Sequence, residues 1–286
     1  MIDNHTLLSE ACDRFNNSSF LAIDTEFERV NTYYPELCLV QVTNGLETVI
    51  IDPLSIDNMQ PFYDLLYKES IVKVLHSAHQ DLELFFNING KVPMPLFDTQ
   101  LAAPLLGYVE GIGYGNLVKA VLEVELDKAH ARTNWKQRPL KKEQLEYAAN
   151  DVIYLEKIYT IFLKEMAKVE DLGVFNERIA NFSRAETYQP DPDSMWKKIY
   201  AARKLKGKKL AVVKKLAAWR EITARKKNRP RKWILSDHAL IGIALSLPET
   251  KSDLLKIDRL SEKIVDRYGD IFLEIVEIES HIKEKR

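Results

Sequence analysis

The sequence predicts an α/β domain, a mixed sheet flanked by helices, followed by a small all-α domain. Three observations predict it. Strand-like and helix-like segments alternate through the first half of the chain, and strand signals stop after about residue 170. The stretch ETYQPDPDSMW (186–196) holds two prolines and reads as a linker or boundary between the two parts.

The elements follow in order. FLAIDTE (20–26) opens with four apolar residues and reads as a buried strand. ELCLVQVTN (36–44) and ETVIIDP (47–53) are β-rich runs around Asn44-Gly45, a strong hairpin signal. Residues 58–68 have helical character, SIVKVLH (70–76) reads as a strand, and HQDLELFFN (79–87) as the helix after it. FDTQLAAPLLG (97–107) is expected to be a helix closed by Gly107, and YGNLVKAVLEVEL (114–126) another. DKAHARTNWKQRPL (127–140) lacks periodicity and reads as a loop; 141–169 is rich in strong helix formers and reads as one long helix. An antiparallel three-strand start followed by a strand–helix unit gives a mixed sheet. In the tail, helices are expected over 209–228, 236–248, 250–256 and 259–281, with a turn at 228–233 and Ser236 and Asp237 as capping residues. No internal repeat or low-complexity segment interrupts this plan.

Composition bounds the partners. The chain has 286 residues, 46% hydrophobic and 29% charged, enough for a sizeable core and a solvated surface. No run approaches a membrane span, and MIDNHTLLSEACDRF lacks the basic and apolar regions of a signal peptide, so a cytoplasmic protein without membrane partners is expected. Cys12 and Cys38 have no metal-like spacing and fit a reducing compartment. The net charge of −1 hides an asymmetry: Trp196 to Lys232 carries sixteen Lys and Arg against one acid, Glu221, a local +15 against −16 elsewhere. Charge this dense points to a polyanion, nucleic acid above all, although a solvated helix face would also account for it.

Asp24 and Glu26 are two apart on a strand and therefore share a face. Like charges roughly 6–7 Å apart repel by about 2–3 kcal/mol at an effective dielectric of about 20. A solvated strand end, or pairing with Arg29, would relieve that. Two further features suggest another answer. Asp81 lies in the first turn of the helix that follows a later strand, where the helix dipole alone could explain it. Tyr147 and Asp151, in YAANDVIYL, lie one turn apart on a helix face that also carries Ala148 and Ile158. If the three pieces converge at one end of the sheet, four carboxylates in one cleft need cations. All-oxygen ligands suit Mg²⁺ or Mn²⁺, and two such ions about 3.5–4 Å apart could neutralise the acids, activate a water and stabilise a leaving oxygen in phosphodiester cleavage.

AIDTEF, HSAHQDLELF and QLEYAANDVIYL, in that order, resemble the three motifs of the DEDD superfamily of 3′–5′ exonucleases, in the tyrosine (DEDDy) form. LDKAHARTNWKQRPLKKEQLEYAANDV is similar in detail to the ribonuclease D family, and the tail from about 207 resembles an HRDC domain, a helical nucleic-acid-binding module. The resemblance covers nearly the whole chain. It implies a ribonuclease H-like mixed sheet over 1–190, a linker or connecting helix over 191–206 and an HRDC domain over 207–286. It implies two divalent metal ions: Asp24, Glu26 and Asp151 on one, Asp24 bridging to a second, and Asp81 supporting the second directly or through water. Tyr147 would position the attacking water. The expected activity is 3′–5′ exoribonucleolytic release of nucleoside 5′-monophosphates from tRNA precursors and other structured RNAs, by a monomer. A DNA 3′–5′ exonuclease and a non-catalytic nucleic-acid-binding protein are the alternatives. Asn134 stands where family members often carry an acid, and no second HRDC domain is expected after residue 286. RNA grip could differ accordingly.

Other candidates are ambiguous by residue type. Phe27 could stack on a terminal base or pack in the core. Gln41, mid-strand, could touch RNA or satisfy local polar groups, and Arg138 could reach phosphate or remain solvated. His76 and His79 read as structural or RNA-contacting rather than zinc ligands, with no cysteine nearby. Tyr33 and Tyr34 could line an RNA path or pack on a loop. Trp219 and Trp233 are expected in the helical core.

Overall fold

A computed structural model describes residues 1–127 and 133–281. Part of the loop expected over 127–140 therefore lies outside the described residues. The chain divides into two compact units: Met1–Glu28 with Pro35–Tyr188, and Arg29–Tyr34 with Gln189–Arg286.

The first unit is built on a five-stranded sheet in the order β3-β2-β1-β4-β5, with β1 (Phe20–Glu28), β2 (Glu36–Thr43), β3 (Thr48–Ile51), β4 (Val72–Leu75) and β5 (Leu96–Asp98). β1–β2 and β2–β3 are antiparallel, while β1–β4 and β4–β5 are parallel. The Asn44-Gly45 signal acts as read: Asn44 Oδ1 accepts from the Leu46 and Glu47 amides at 3.0 Å each, and Gly45 takes a φ of +87° that a side chain would resist.

Helices α1 (His5–Phe15), α2 (Gln60–Leu66), α3 (His79–Asn89), α4 (Thr99–Ala102), α5 (Tyr114–Leu122), α6 (Lys142–Met166) and α7 (Gly173–Phe182) complete this unit. α6 buries Ala148, Asp151, Val152, Leu155, Ile158, Tyr159, Phe162 and Met166, a three-and-four spacing that lays one face on the sheet. Asp151 is the acid within that stripe.

Part of the segment expected as a helix over 97–107 is sheet. Leu96, Phe97 and Asp98 pair with Lys73, Val74 and Leu75, a parallel partner more than twenty residues away that local propensity does not register. Asp98 then caps α4, accepting from Gln100 N at 2.8 Å. Helices α1 and α7 had no counterpart in the sequence reading.

The second unit is helical: α8 (Gly207–Lys227), α9 (Arg231–Ile234), α10 (Asp237–Ser246), α11 (Lys251–Leu255) and α12 (Glu262–His281), preceded by 3₁₀ turns at Pro192–Lys198 and Tyr200–Lys204. Within 191–206, expected as a linker or connecting helix, Ile199 and Ala202 are buried with Val212, Leu216, Leu240, Ile243 and Phe272. Glu221, 1% exposed, accepts from the Tyr33 hydroxyl, from Arg225 Nε at 3.0 Å and from Arg231. Burial opposes its charge, but these donors hold its pKa below the ordinary value. Tyr33 therefore packs within this unit. Its amide and that of Tyr34 both donate to Asn228 Oδ1 at 3.0 Å.

Candidate active site

Strand β4 ends beside the middle of its parallel neighbour β1, and the acids gather there. Asp24 and Glu26 lie in the second half of β1, Asp81 in the first turn of α3 just after β4, and Tyr147 and Asp151 on α6. All five line one cleft of about 360 Å³, with Thr25, Phe27, His76, Ser77, Gln80, Tyr114 and Leu155. The ladder to β2 slips between Glu26 and Phe27, a bulge that breaks strict alternation, so Phe27 reaches the cleft as well as packing against the core.

One carboxylate oxygen from each of Asp24, Glu26 and Asp151 lies within 4.8 Å of the others. Packed this closely, with Asp24 and Glu26 half-buried and Asp151 buried, the acids resist ionisation. Burial first, then the charges of Asp151, Asp81 and Glu26, push Asp24 well above the usual carboxylate range. Burial, Asp151 and Asp81 bring Glu26 to about 8. Burial lifts Asp151 to about 7 against a hydrogen bond from the Tyr147 hydroxyl. Asp81 stands outside the trio and accepts from Thr25 Oγ1; burial raises it to about 6 despite that bond. The trio's donors are all oxygen and no Lys or Arg lines the cleft, which fits a hard divalent cation.

Neighbouring groups hold this arrangement. Buried Asp98 accepts from Ser77 N at 3.0 Å and Ala78 N at 2.9 Å, fixing the turn that delivers Asp81. The Tyr114 hydroxyl donates to the Asp151 carbonyl. His76 Nδ1 lies 2.9 Å from Thr99 Oγ1 and its ring 5.4 Å from that of Tyr114, while Nε2 is buried without a partner at the cleft wall. Burial lowers the His76 pKa, so the neutral ring is favoured. His79 packs on Phe182 and Tyr188, away from the acid cluster.

Two sequence candidates do not line the cleft. Gln41 is 0% exposed, with both amide atoms unbonded in the interior. Arg138 is a structural clamp: it grips buried Asp52 through two 2.7 Å bonds and also donates to the carbonyls of Cys38, Trp135 and Gln137. Its N–H donors are all engaged, so a phosphate would have to displace at least one of these partners. Trp219 packs edge-on against Tyr268 and Phe272 as expected, but Trp233 is 58% exposed, not core.

Comparison with known proteins gives this cleft its family. Residues 1–167 match a 3′–5′ exonuclease family, and residues 209–276 match the HRDC domain. The ribonuclease D of Pseudomonas paraeruginosa is 40% identical over 272 residues, 94% of this chain and 71% of that protein. The chain belongs to the ribonuclease D family. Another ribonuclease D, from Sphingobium indicum, is 42% identical over 91% of this chain and 68% of its own length. The crystal structure of Escherichia coli RNase D, described as an exoribonuclease involved in structured RNA processing, superposes with a TM-score of 0.87 at 32% identity, covering 99% of this chain and 76% of that one. Membership makes this chain a 3′–5′ exoribonuclease on a mixed sheet flanked by helices, followed in sequence by a helical HRDC domain.

Residues around the cleft that the sequence did not point to are Thr25, Asp98 and Tyr114. Thr25 sits between the paired acids and read only as a strand residue. Asp98 before Thr99 carried a visible capping signal, masked by assigning 97 to the helix. Tyr114 gave no signal beyond opening a helix, because its partner is a backbone carbonyl 37 residues on.

Proposed function

We propose that Asp24, Glu26 and Asp151 hold one divalent ion and that Asp24 with Asp81 serves a second, Mg²⁺ or Mn²⁺, in removing nucleotides from the 3′ ends of structured RNAs such as tRNA precursors. The observation that carries this reading is the trio of carboxylates within 4.8 Å of one another, each with its pKa raised. Bound divalent ions supply charge neutralisation and activation of water toward a phosphodiester. The chain's own groups orient the reaction. Tyr147, its hydroxyl bonded to Asp151, directs a water at the cleft wall; burial pushes its pKa up, so it stays protonated at neutral pH and serves as a positioning group rather than a base. Phe27 offers a ring to the terminal base, and neutral His76, its Nε2 buried, helps to wall the cleft. In the hydrolysis the water oxygen bonds to phosphorus and the P–O3′ bond breaks. A proton goes to the departing 3′ oxygen, giving a nucleoside 5′-monophosphate and a shortened 3′-hydroxyl end.

The substrate class is supported by what is described for the Escherichia coli relative. A cytoplasmic monomer is the form we propose; among the described residues no helix is long and apolar enough to cross a membrane. The domain division proposed is an exonuclease domain to about residue 190 with the HRDC domain from about 207, the intervening turns packing in the HRDC core.

The test follows a 3′-overhanging RNA labelled at its 5′ end, with Mg²⁺, Mn²⁺ or EDTA, beside the matching DNA. A metal-dependent ladder shortening from the 3′ end, faster on RNA, is expected. Faster DNA degradation would move the reading to a DNA exonuclease. Binding without cleavage under every metal condition would overturn the site.

A further inference from the structure

Helix α5 packs against α6 and carries Tyr114, Leu117 and Val118 at the spacing of one helix face. Leu117 and Val118 are 0% exposed and anchor the helix in the core. Tyr114, its first residue, differs from them in bringing a polar tip to the wall of the acid cleft. The hydroxyl donates to the Asp151 carbonyl, and the Leu155 amide reaches the same hydroxyl oxygen. In an α-helix a carbonyl and an amide four residues apart are each other's partners. The hydroxyl therefore sits at one rung of the α6 ladder. That rung belongs to the residue that brings a carboxylate to the trio.

The ring behind the hydroxyl is backed in turn. Its centroid lies 5.4 Å from that of His76, whose Nδ1 is 2.9 Å from Thr99 Oγ1, and Thr99 donates to the Leu75 carbonyl at 3.2 Å. Leu75 ends β4, so a run of contacts leads from the strand end to the Asp151 turn. A buried tyrosine hydroxyl needs a partner, and many acceptors would serve. This one uses a carbonyl that the helix can satisfy by itself, so what the bond adds is a fixed distance between α5 and that turn. The trio needs such a restraint. Its carboxylate oxygens lie within 4.8 Å of one another, and as they ionise they repel and drive their elements apart. Mg²⁺, by contrast, demands near-ideal octahedral geometry from its ligands.

We infer that Tyr114 is a positioning residue: its hydroxyl pins the Asp151 turn of α6, so that this carboxylate stays in register with Asp24 and Glu26 for a divalent ion. The inference rests on the reading of Asp151 as a metal ligand, and it goes beyond that reading by giving the alignment of the site to a helix outside the trio.

The test uses the full chain and reads Mg²⁺ binding by isothermal titration calorimetry without RNA, beside steady-state cleavage of a 3′-overhanging RNA. Tyr114→Phe keeps the ring and removes the hydroxyl. It is expected to weaken Mg²⁺ binding and to lower kcat, each about tenfold, with KM for RNA unchanged. The deficit in kcat should shrink as Mg²⁺ is raised. Tyr67→Phe controls for the loss of a hydroxyl as such, because it gives up bonds to the Phe85 and Lys91 carbonyls away from the cleft. It should melt at a lower temperature and bind Mg²⁺ like the parent. Unchanged Mg²⁺ binding in Tyr114→Phe, whatever its melting temperature, reduces the bond to a structural one and overturns the inference. A raised KM with kcat held would make Tyr114 a substrate contact and also overturn it. If Tyr114→Phe fails to fold, Thr99→Val, which takes the partner from His76 and loosens the backing of the ring, is read in its place, and unchanged Mg²⁺ binding there overturns the inference. Asp151→Asn keeps the two readings apart. Mg²⁺ binding equal to the parent's in Asp151→Asn sinks the metal assignment and the inference with it. Binding lost in Asp151→Asn but kept in Tyr114→Phe sinks the positioning role alone.

Discussion

Arg138 and Asp52 grip each other through two parallel 2.7 Å hydrogen bonds, Nε to Oδ2 and Nη2 to Oδ1, with the carboxylate 1% exposed. Burial works against the Asp52 charge, but the Arg138 bonds and those from Ser55 and Leu54 hold its pKa below the ordinary value. The pair therefore contributes stability above the unfolded carboxylate range, near pH 4, and loses it as pH falls through the lower folded value. Arg138→Gln strands a buried charge and is expected to destabilise by about 3 kcal/mol. Urea denaturation reads the loss, and the salt dependence of RNA binding should not move. A flatter salt slope would restore Arg138 as a phosphate contact.

The acid cluster predicts the opposite pH trend. Asp81, Asp151 and Glu26 have folded pKa values of about 6, 7 and 8, all above the ordinary carboxylate range. An acid with a raised folded pKa stabilises below its unfolded pKa and loses that contribution as pH rises through the folded one. In EDTA, this contribution to melting temperature is therefore expected to fall between about pH 4 and pH 8. Added Mg²⁺ should raise the melting temperature most at the alkaline end, where the carboxylates are ready to bind. Asp151→Asn should abolish cleavage, retain the fold and weaken both the EDTA trend and the Mg²⁺ response. Melting curves with and without metal across this range check it.

Tyr147→Phe removes one hydroxyl and leaves the ring that packs near Trp135, 6.3 Å between centroids. Its expected effect is a kcat lower by about 10- to 100-fold, with the fold and KM for RNA little changed. Asp151, relieved of its donor, should titrate higher, so the acid limb of the pH–rate profile should move up. Single-turnover rates across pH separate this from a simple loss of packing, which would leave the limb in place.

Gln41 sits opposite Asp24 in the β1–β2 ladder, yet its amide makes no bond. Gln41→Met keeps the length and removes the buried polar atoms. It is expected to stabilise by about 1–2 kcal/mol in denaturant titration and to leave KM unchanged. A rise in KM without a stability gain would mean that the amide serves substrate after all.

The acids were legible in the sequence because carboxylates two apart on a strand, or one turn from a tyrosine on an apolar helix face, conflict with local physics. The sheet's antiparallel half was legible for a similar reason, since Asn44-Gly45 states its own turn. β5 was not, because three residues acquire strand geometry only from a parallel neighbour. Gln41 and Arg138 stayed ambiguous because a polar side chain does not reveal whether its partner is water, substrate or a buried carboxylate more than eighty residues away. Trp233 misled: its type says core, yet it is exposed while its neighbours Ile234 and Leu235 are buried.

The stripe on α6 joins two jobs that are usually separate. Val152, Leu155, Ile158 and Phe162 set the rotational phase of the helix on the sheet, and Asp151 inherits its aim from that phase. Replacing one apolar side chain by another of similar volume leaves the phase alone. Deleting or inserting a single residue between Asp151 and Phe162 turns the acid by about 100° against the packed stripe and shifts it about 1.5 Å along the axis. Such a length change either drives apolar residues into water to keep the acid in place or keeps the packing and empties the cleft of one carboxylate. Through this segment, descendants of the gene can drift widely in spelling but not in length.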